Sequence, residues 1–118
     1  MRAARGAIRV ERDEAEVVLG ATERLLSTML ERNGVAETDE LVSAFFTVTD
    51  DLRSAFPAEA ARRMGLGRVP LLCAREIPVK GSMPMVVRIL LHLHTERDPV
   101  QIVHVYLDGA ESLRDDLG

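Results

Sequence analysis

From Val86 to Thr95 the chain alternates with a period of two: Val87, Ile89, Leu91, Leu93 and Thr95 share one parity, and Arg88, Leu90, His92 and His94 share the other. Successive side chains of an extended backbone point to opposite faces, so this spacing predicts a strand. Between Asp13 and Arg32 the period lengthens. Val18, Leu25, Leu26, Met29 and Leu30 recur at helical spacing, which predicts a long helix. Asp13 is expected to offer a side-chain oxygen to its first turn, Glu16 to complete a capping box, and Asn33-Gly34 to end it.

Shorter signals supply the remaining elements. Arg5 to Val10 reads as a first strand, and Leu41 to Thr49, rich in β-branched and aromatic residues, as a buried second one. Pro57 suits the first turn of a short helix running to Met64 and stopped by Gly65. Val69 to Cys73 reads as a third strand, after which Pro78, Gly81 and Pro84 mark a loop. Val100 to Leu107 is expected to be a fifth strand carrying His104 and Tyr106 on one face, with Asp108 to Leu113 a terminal turn or short helix. The predicted order is β-α-β-α-β-β-β. It describes an α+β (α/β-like) domain spanning residues 1–118, a mixed sheet with one long and one short helix on one face. The other face then needs a cover, and a neighbouring subunit is the natural one.

Composition narrows the class of protein. Apolar residues make up 47% and charged residues 29%, the balance of a soluble globular domain. No apolar run approaches the ~20 residues that span a bilayer, and no apolar segment follows Met1-Arg2 to act as a signal, so the cytoplasm is the expected location and no membrane is expected as a partner. A net charge of −4, with three Phe, one Tyr and no Trp, disfavours nucleic acid as a partner. One cysteine excludes an intrachain disulfide. Lys80 is the only lysine among 15 cationic residues, so arginine is the default cation here and only position can single one out.

Position singles out Arg88. It interrupts the apolar run from Met85 to Leu91, where a guanidinium must be paired, face water or face a ligand. Upstream, Cys73 and Glu76 stand three residues apart at the end of another apolar run. Each candidate has a plainer reading beside the functional one. Arg5 could be a solvated charge, Glu76 a loop carboxylate paired with Arg75, Cys73 a small buried hydrophobe and Tyr106 a core residue with a satisfied hydroxyl. His92 and His94 alternate as metal ligands do, but no further ligand stands at a suitable spacing, so no metal is expected.

Taken together the motifs resemble one family. Arg5-Gly6-Ala7, Val10-Glu11-Arg12-Asp13, Asp51-Leu52 with Phe56-Pro57-Ala58, Val69-Pro70 with Cys73 and Glu76, Arg88, and His104-Val105-Tyr106-Leu107 with Leu113-Arg114 are similar, in the same order, to the monofunctional chorismate mutases of the trimeric, pseudo-α/β-barrel class. The resemblance implies an isomerase converting chorismate to prephenate in phenylalanine and tyrosine biosynthesis. It implies a homotrimer with active sites at subunit interfaces and no metal or cofactor. It assigns Arg88 to the ether oxygen and side-chain carboxylate of the substrate, Arg5 to a carboxylate, and Glu76 to the ring hydroxyl. Cys73 would sit beside Glu76 as a weak donor and Tyr106 would hydrogen-bond the enolpyruvyl carboxylate. Phe56 and Ala58 would form an apolar wall, Arg62 and Arg114 would lie at the entrance, and Leu113 would join the substrate-binding set.

The chemistry suits these residue types on separate grounds. Chorismate is a dianion whose rearrangement breaks an ether carbon–oxygen bond while a carbon–carbon bond forms, with no proton transfer. A protein can hold the compact conformer and set a fixed cation where negative charge grows. Arginine's rigid fork does both better than an ammonium. One departure from the family pattern is Glu59, where a lysine is usual, reversing a charge near the entrance. The main rival is a non-catalytic trimeric module that binds a carboxylate metabolite, for which arginines without Glu76 would suffice.

Overall fold

The computed structural model describes residues 1–117, with side chains described through Arg114. Five strands, β1 (Arg2–Arg9), β2 (Leu41–Val48), β3 (Leu71–Arg75), β4 (Val86–Leu93) and β5 (Val105–Leu107), form one mixed sheet in the order β3-β2-β4-β1-β5. The central strand β4 runs antiparallel to both β2 and β1, while β3 and β5 lie parallel to β2 and β1 at the edges. Two helices, α1 (Ala15–Arg32) and α2 (Ala58–Arg63), complete the expected β-α-β-α-β-β-β order. No helix among the described residues is long and apolar enough to cross a membrane.

The period-two reading of β4 holds. Val87, Ile89, Leu91 and Leu93 are buried, whereas Arg88, Leu90 and His92 are half-buried on the other face. The buried set joins Ala4 and Ile8 of β1, Ala44, Phe46 and Val48 of β2, and Val18, Leu25, Leu26 and Met29 of α1 in the main core. In β2 strict alternation would send either Leu41 or Ala44 outward, yet both are buried, because a bulge lies between Leu41 and Ser43. Helix α1 presses closely on β1. A Cβ on Gly6 would stand 2.5 Å from Met29 Sδ and 3.1 Å from Leu25 Cδ1, so glycine lets both side chains pack directly on the strand.

The opposite face is only partly covered. The 3₁₀ segment Ala110–Leu117 lays Ala110 and Leu113 over Ala7 and Val86 at one end. Further along the same face Phe45 and Leu72 remain exposed, 42% and 58% respectively.

Several boundaries differ from expectation. The capping box at Asp13 does not form: Glu14 is the N-cap residue, and Asp13 instead accepts hydrogen bonds from the backbone N–H groups of Arg53 and Ser54, at 3.1 Å each. Hydrogen bonds from Ser54 and Arg53 hold its carboxyl below the usual aspartate range. Glu16 pairs with Arg63 at 2.9 Å, tying α1 to α2. The fifth strand is shorter than Val100–Leu107. Asp98 and Gln101 form a capping box around a 3₁₀ turn at Pro99–Gln101, and Asn33 then takes both backbone groups of Val103, which removes them from sheet pairing. The third strand begins at Leu71 rather than Val69, whose N–H closes a turn onto Leu66. The first begins at Arg2 rather than Arg5, since Arg2 to Ala4 pair with Leu91 to Leu93.

Candidate active site

On the face away from α1, cross-strand pairing sets Ala74, Thr47, Arg88, Ala7 and Tyr106 in one row that crosses all five strands. A second row beside it contains Leu72, Phe45, Leu90 and Arg5. Alternation in three separate strands thus brings Arg5, Arg88 and Tyr106 together across long sequence distances. They line a cleft of about 280 Å³ with Phe45, Thr47 and Glu76. Ala7 is small, which keeps the row open between Arg88 and Tyr106.

Glu76 enters from the end of β3, where its backbone N–H is held by the Val48 carbonyl at 2.9 Å. Its Oε1 accepts a 2.7 Å hydrogen bond from Thr47 Oγ1 and lies 3.1 Å from Arg88 Nε. The Arg88 N–H is not aimed at that oxygen, so the contact is an ion pair without a hydrogen bond. Arg88 Nε and Tyr106 Oη are both sealed from solvent, and neither has a hydrogen-bond partner among the described residues. A buried unpaired donor costs about 1–3 kcal/mol, more when charged. Arg88 Nε has the Glu76 carboxylate beside it, and Tyr106 Oη bears the cost in full.

Arg5 is exposed, and its backbone N–H donates to His104 Nδ1 at 3.0 Å. That acceptor role requires an unprotonated Nδ1. Burial, followed by the charges of Arg5 and Arg114, pushes the His104 pKa below its ordinary value, so the neutral ring is favoured.

Other predicted residues lie elsewhere on the single chain. Cys73 pairs with Phe46 in the ladder, packs half-buried against the main core, and lines a separate cleft of about 420 Å³ with Arg53, Phe56 and Arg75. Phe56 is 76% exposed, and Ala58 is buried at the start of α2. Arg62 is exposed and paired with Glu59 at 3.1 Å. Leu113 is buried against Ala7, and Arg114 is exposed near enough to His104 to depress its pKa. Arg75 pairs with Asp50, not with Glu76. His92 has Nδ1 3.3 Å from Ser43 Oγ and its ring edge-on to Phe45, and the described residues contain no group of three or more His, Cys, Asp or Glu able to hold a metal ion.

Thr47 and Phe45 line the cleft although sequence reasoning named neither. The signal existed: in β2 Phe45 and Thr47 share the parity opposite to Ala44, Phe46 and Val48, which puts a hydroxyl on the face that carries Arg88.

A family model described as chorismate mutase type I matches residues 1–117. The chain belongs to the type I chorismate mutases. It is 53% identical over 117 residues to chorismate mutase AroH of Thermus thermophilus, covering 99% of this chain and 96% of that one. Against chorismate mutase AroH of Bacillus subtilis (strain 168) it is 36% identical over 118 residues, covering 99% and 92%. A solved chorismate mutase from Clostridium thermocellum superposes with a TM-score of 0.92 at 44% identity, covering 95% of this chain and 99% of that one. Membership in the chorismate mutases agrees with a cleft that presents cations and hydrogen-bond donors beside a single carboxylate.

Proposed function

We propose that the chain isomerises chorismate to prephenate in aromatic amino acid biosynthesis, in the Arg88 cleft of a homotrimer. The observation that carries the reading is the pair of sealed polar atoms, Arg88 Nε and Tyr106 Oη, that stand in one cleft without a hydrogen bond among the described residues. A dianionic substrate supplies the acceptors that both lack. Arg88 then holds the substrate in its compact conformer and meets the negative charge that develops on the ether oxygen, an interaction stronger in the transition state than before it. Glu76 accepts from the ring hydroxyl and favours positive character on the ring fragment. Arg5 anchors a carboxylate, and Tyr106 donates to the enolpyruvyl carboxylate.

The remaining assigned residues argue for a second copy. The Phe56–Cys73 cleft and the Arg88 cleft share no lining residue. Apposition of one chain's Phe56, Arg62 and Cys73 to the next chain's Arg88 cleft would complete the pocket, with Leu113 and Arg114 at its rim and Ala58 buried beneath Phe56's segment in its own core. It would also cover Phe45 and Leu72. Loss of chorismate absorbance with purified protein, together with a trimer mass by light scattering, is the expected result. A fully active monomer, or a trimer that leaves chorismate unchanged, contradicts the reading.

A further inference from the structure

We infer that Thr47 is a positioning residue for Glu76, deciding which carboxylate oxygen is offered to the substrate; the inference rests on the reading of the Arg88 cleft given above. Thr47 and Arg88 stand directly opposite each other on neighbouring strands, and both engage the same oxygen of Glu76. Thr47 Oγ1 donates to Oε1 at 2.7 Å, and Arg88 Nε lies 3.1 Å from it. Among the described residues no hydrogen bond reaches Oε2. A carboxylate offers about four lone-pair sites across its two oxygens. With two groups converged on Oε1, the free oxygen is the one left to accept from a substrate hydroxyl.

Glu76 needs such a reference point. It lies just past the end of β3, its side chain is 30% exposed, and Ile77 and Val79 of the loop that follows are 78% and 63% exposed. Packing from its own segment therefore does little to restrict a long, rotamer-rich side chain. Thr47 differs on each count. It sits inside a paired strand, and its branched Cβ stiffens χ1, so its hydroxyl is a fixed donor for a movable acceptor. The strand itself does not require that hydroxyl, since valine has the same shape and suits a strand equally well.

The test measures kcat and KM for Thr47→Val, Thr47→Ala and Thr47→Ser, alone and combined with Glu76→Ala. Circular dichroism and light scattering check fold and assembly, and the alanine variant keeps the comparison intact if the valine variant fails to fold. A lost hydrogen bond to a charged group should lower kcat about tenfold while KM stays within about threefold. Thr47→Ser should recover to within about threefold of the parent. In the Glu76→Ala background Thr47→Val should add no further loss, because the group it positions is gone. Parental kcat in Thr47→Val, failure of serine to recover it, or losses that multiply in the double variant would overturn the inference. An unimpaired Glu76→Ala single variant would be a different failure, that of the cleft reading itself.

Discussion

Arg62 Nη1 lies 3.1 Å from Glu59 Oε2, three residues back along α2, so this guanidinium already has an anionic partner within its own helix. Both side chains are about half exposed, 54% and 47%. Such pairs contribute about 0–1 kcal/mol to stability, so the consequence concerns substrate capture more than folding. Glu59→Lys should leave the melting temperature nearly unchanged. It should also lower KM for the dianionic substrate about threefold at low ionic strength, with the gain fading as the Debye length falls to ~3 Å near 1 M salt. A KM indifferent to this substitution at low salt would remove Arg62 from the substrate's approach.

Arg88 and Arg5 should separate kinetically. Loss of a preorganised donor aimed at developing charge costs ~2.7–4 kcal/mol, so Arg88→Ala should lower kcat by about 10²–10³ or more. Arg88→Lys keeps the charge but not the fork and should stay badly impaired. Arg5→Ala should act mainly through KM, because a carboxylate is equally anionic before and during the reaction. If Arg88→Ala raised only KM, with kcat within about threefold of the parent, Arg88 would be an anchor and not a catalytic group.

His104 makes stability pH-dependent on the acid side. Its folded-state pKa lies below the ordinary value of ~6.5, so the unfolded chain takes up the proton first. The stability it contributes is present above about pH 6.5 and is lost as pH falls through the lower folded-state value. Protonation also destroys the Nδ1 acceptor that holds the Arg5 backbone. His104→Asn keeps an acceptor and removes the titration, so denaturation midpoints measured between pH 5 and 7 should depend less on pH in the variant. Parallel curves for the two proteins would exclude His104 as the source.

Gly6 reports on the contact between α1 and the sheet. Gly6→Ala would place a Cβ 2.5 Å from Met29 Sδ, within a main core where Met29 and Leu25 are fully buried. Overpacking of this kind typically costs about 1–3 kcal/mol, partly relieved here because methionine can re-pack. Chemical denaturation should show the loss. Because Arg5 precedes this residue, KM should rise along with it.

The sequence was most readable where one residue's environment is set by its own strand or helix. The parity of Val87 to Leu93, the stripe of α1 and the stop at Gly34 needed no distant partner. The boundaries that moved are those decided by long-range hydrogen bonds: Asp13 turned to Arg53 and Ser54, and Asn33 took Val103. Position along the chain picked out Arg88 and Glu76, family likeness added Arg5 and Tyr106, and pairing across the strands gathered them in one cleft. Thr47 stayed hidden because its importance lies in a partner 29 residues away in sequence. Phe56 and Cys73 line a different cleft of the same chain, a separation that periodicity has no means to express.

The bulge near Val42 gives the sheet a form of insulation. Upstream of it the chain arrives from a short 3₁₀ turn at Thr38–Glu40; downstream, Ser43 to Val48 run in step with β4. A slip of one residue in that lower stretch would turn Thr47 toward α1 and Phe46 or Val48 toward the cleft. The extra residue at the bulge lets Leu41 and Ala44 both face the core while Thr47 stays opposite Arg88. A one-residue change of register ahead of Val42 is thereby taken up before it reaches the alignment of Thr47 with Arg88, and the pairing on which the cleft depends sits behind a buffer.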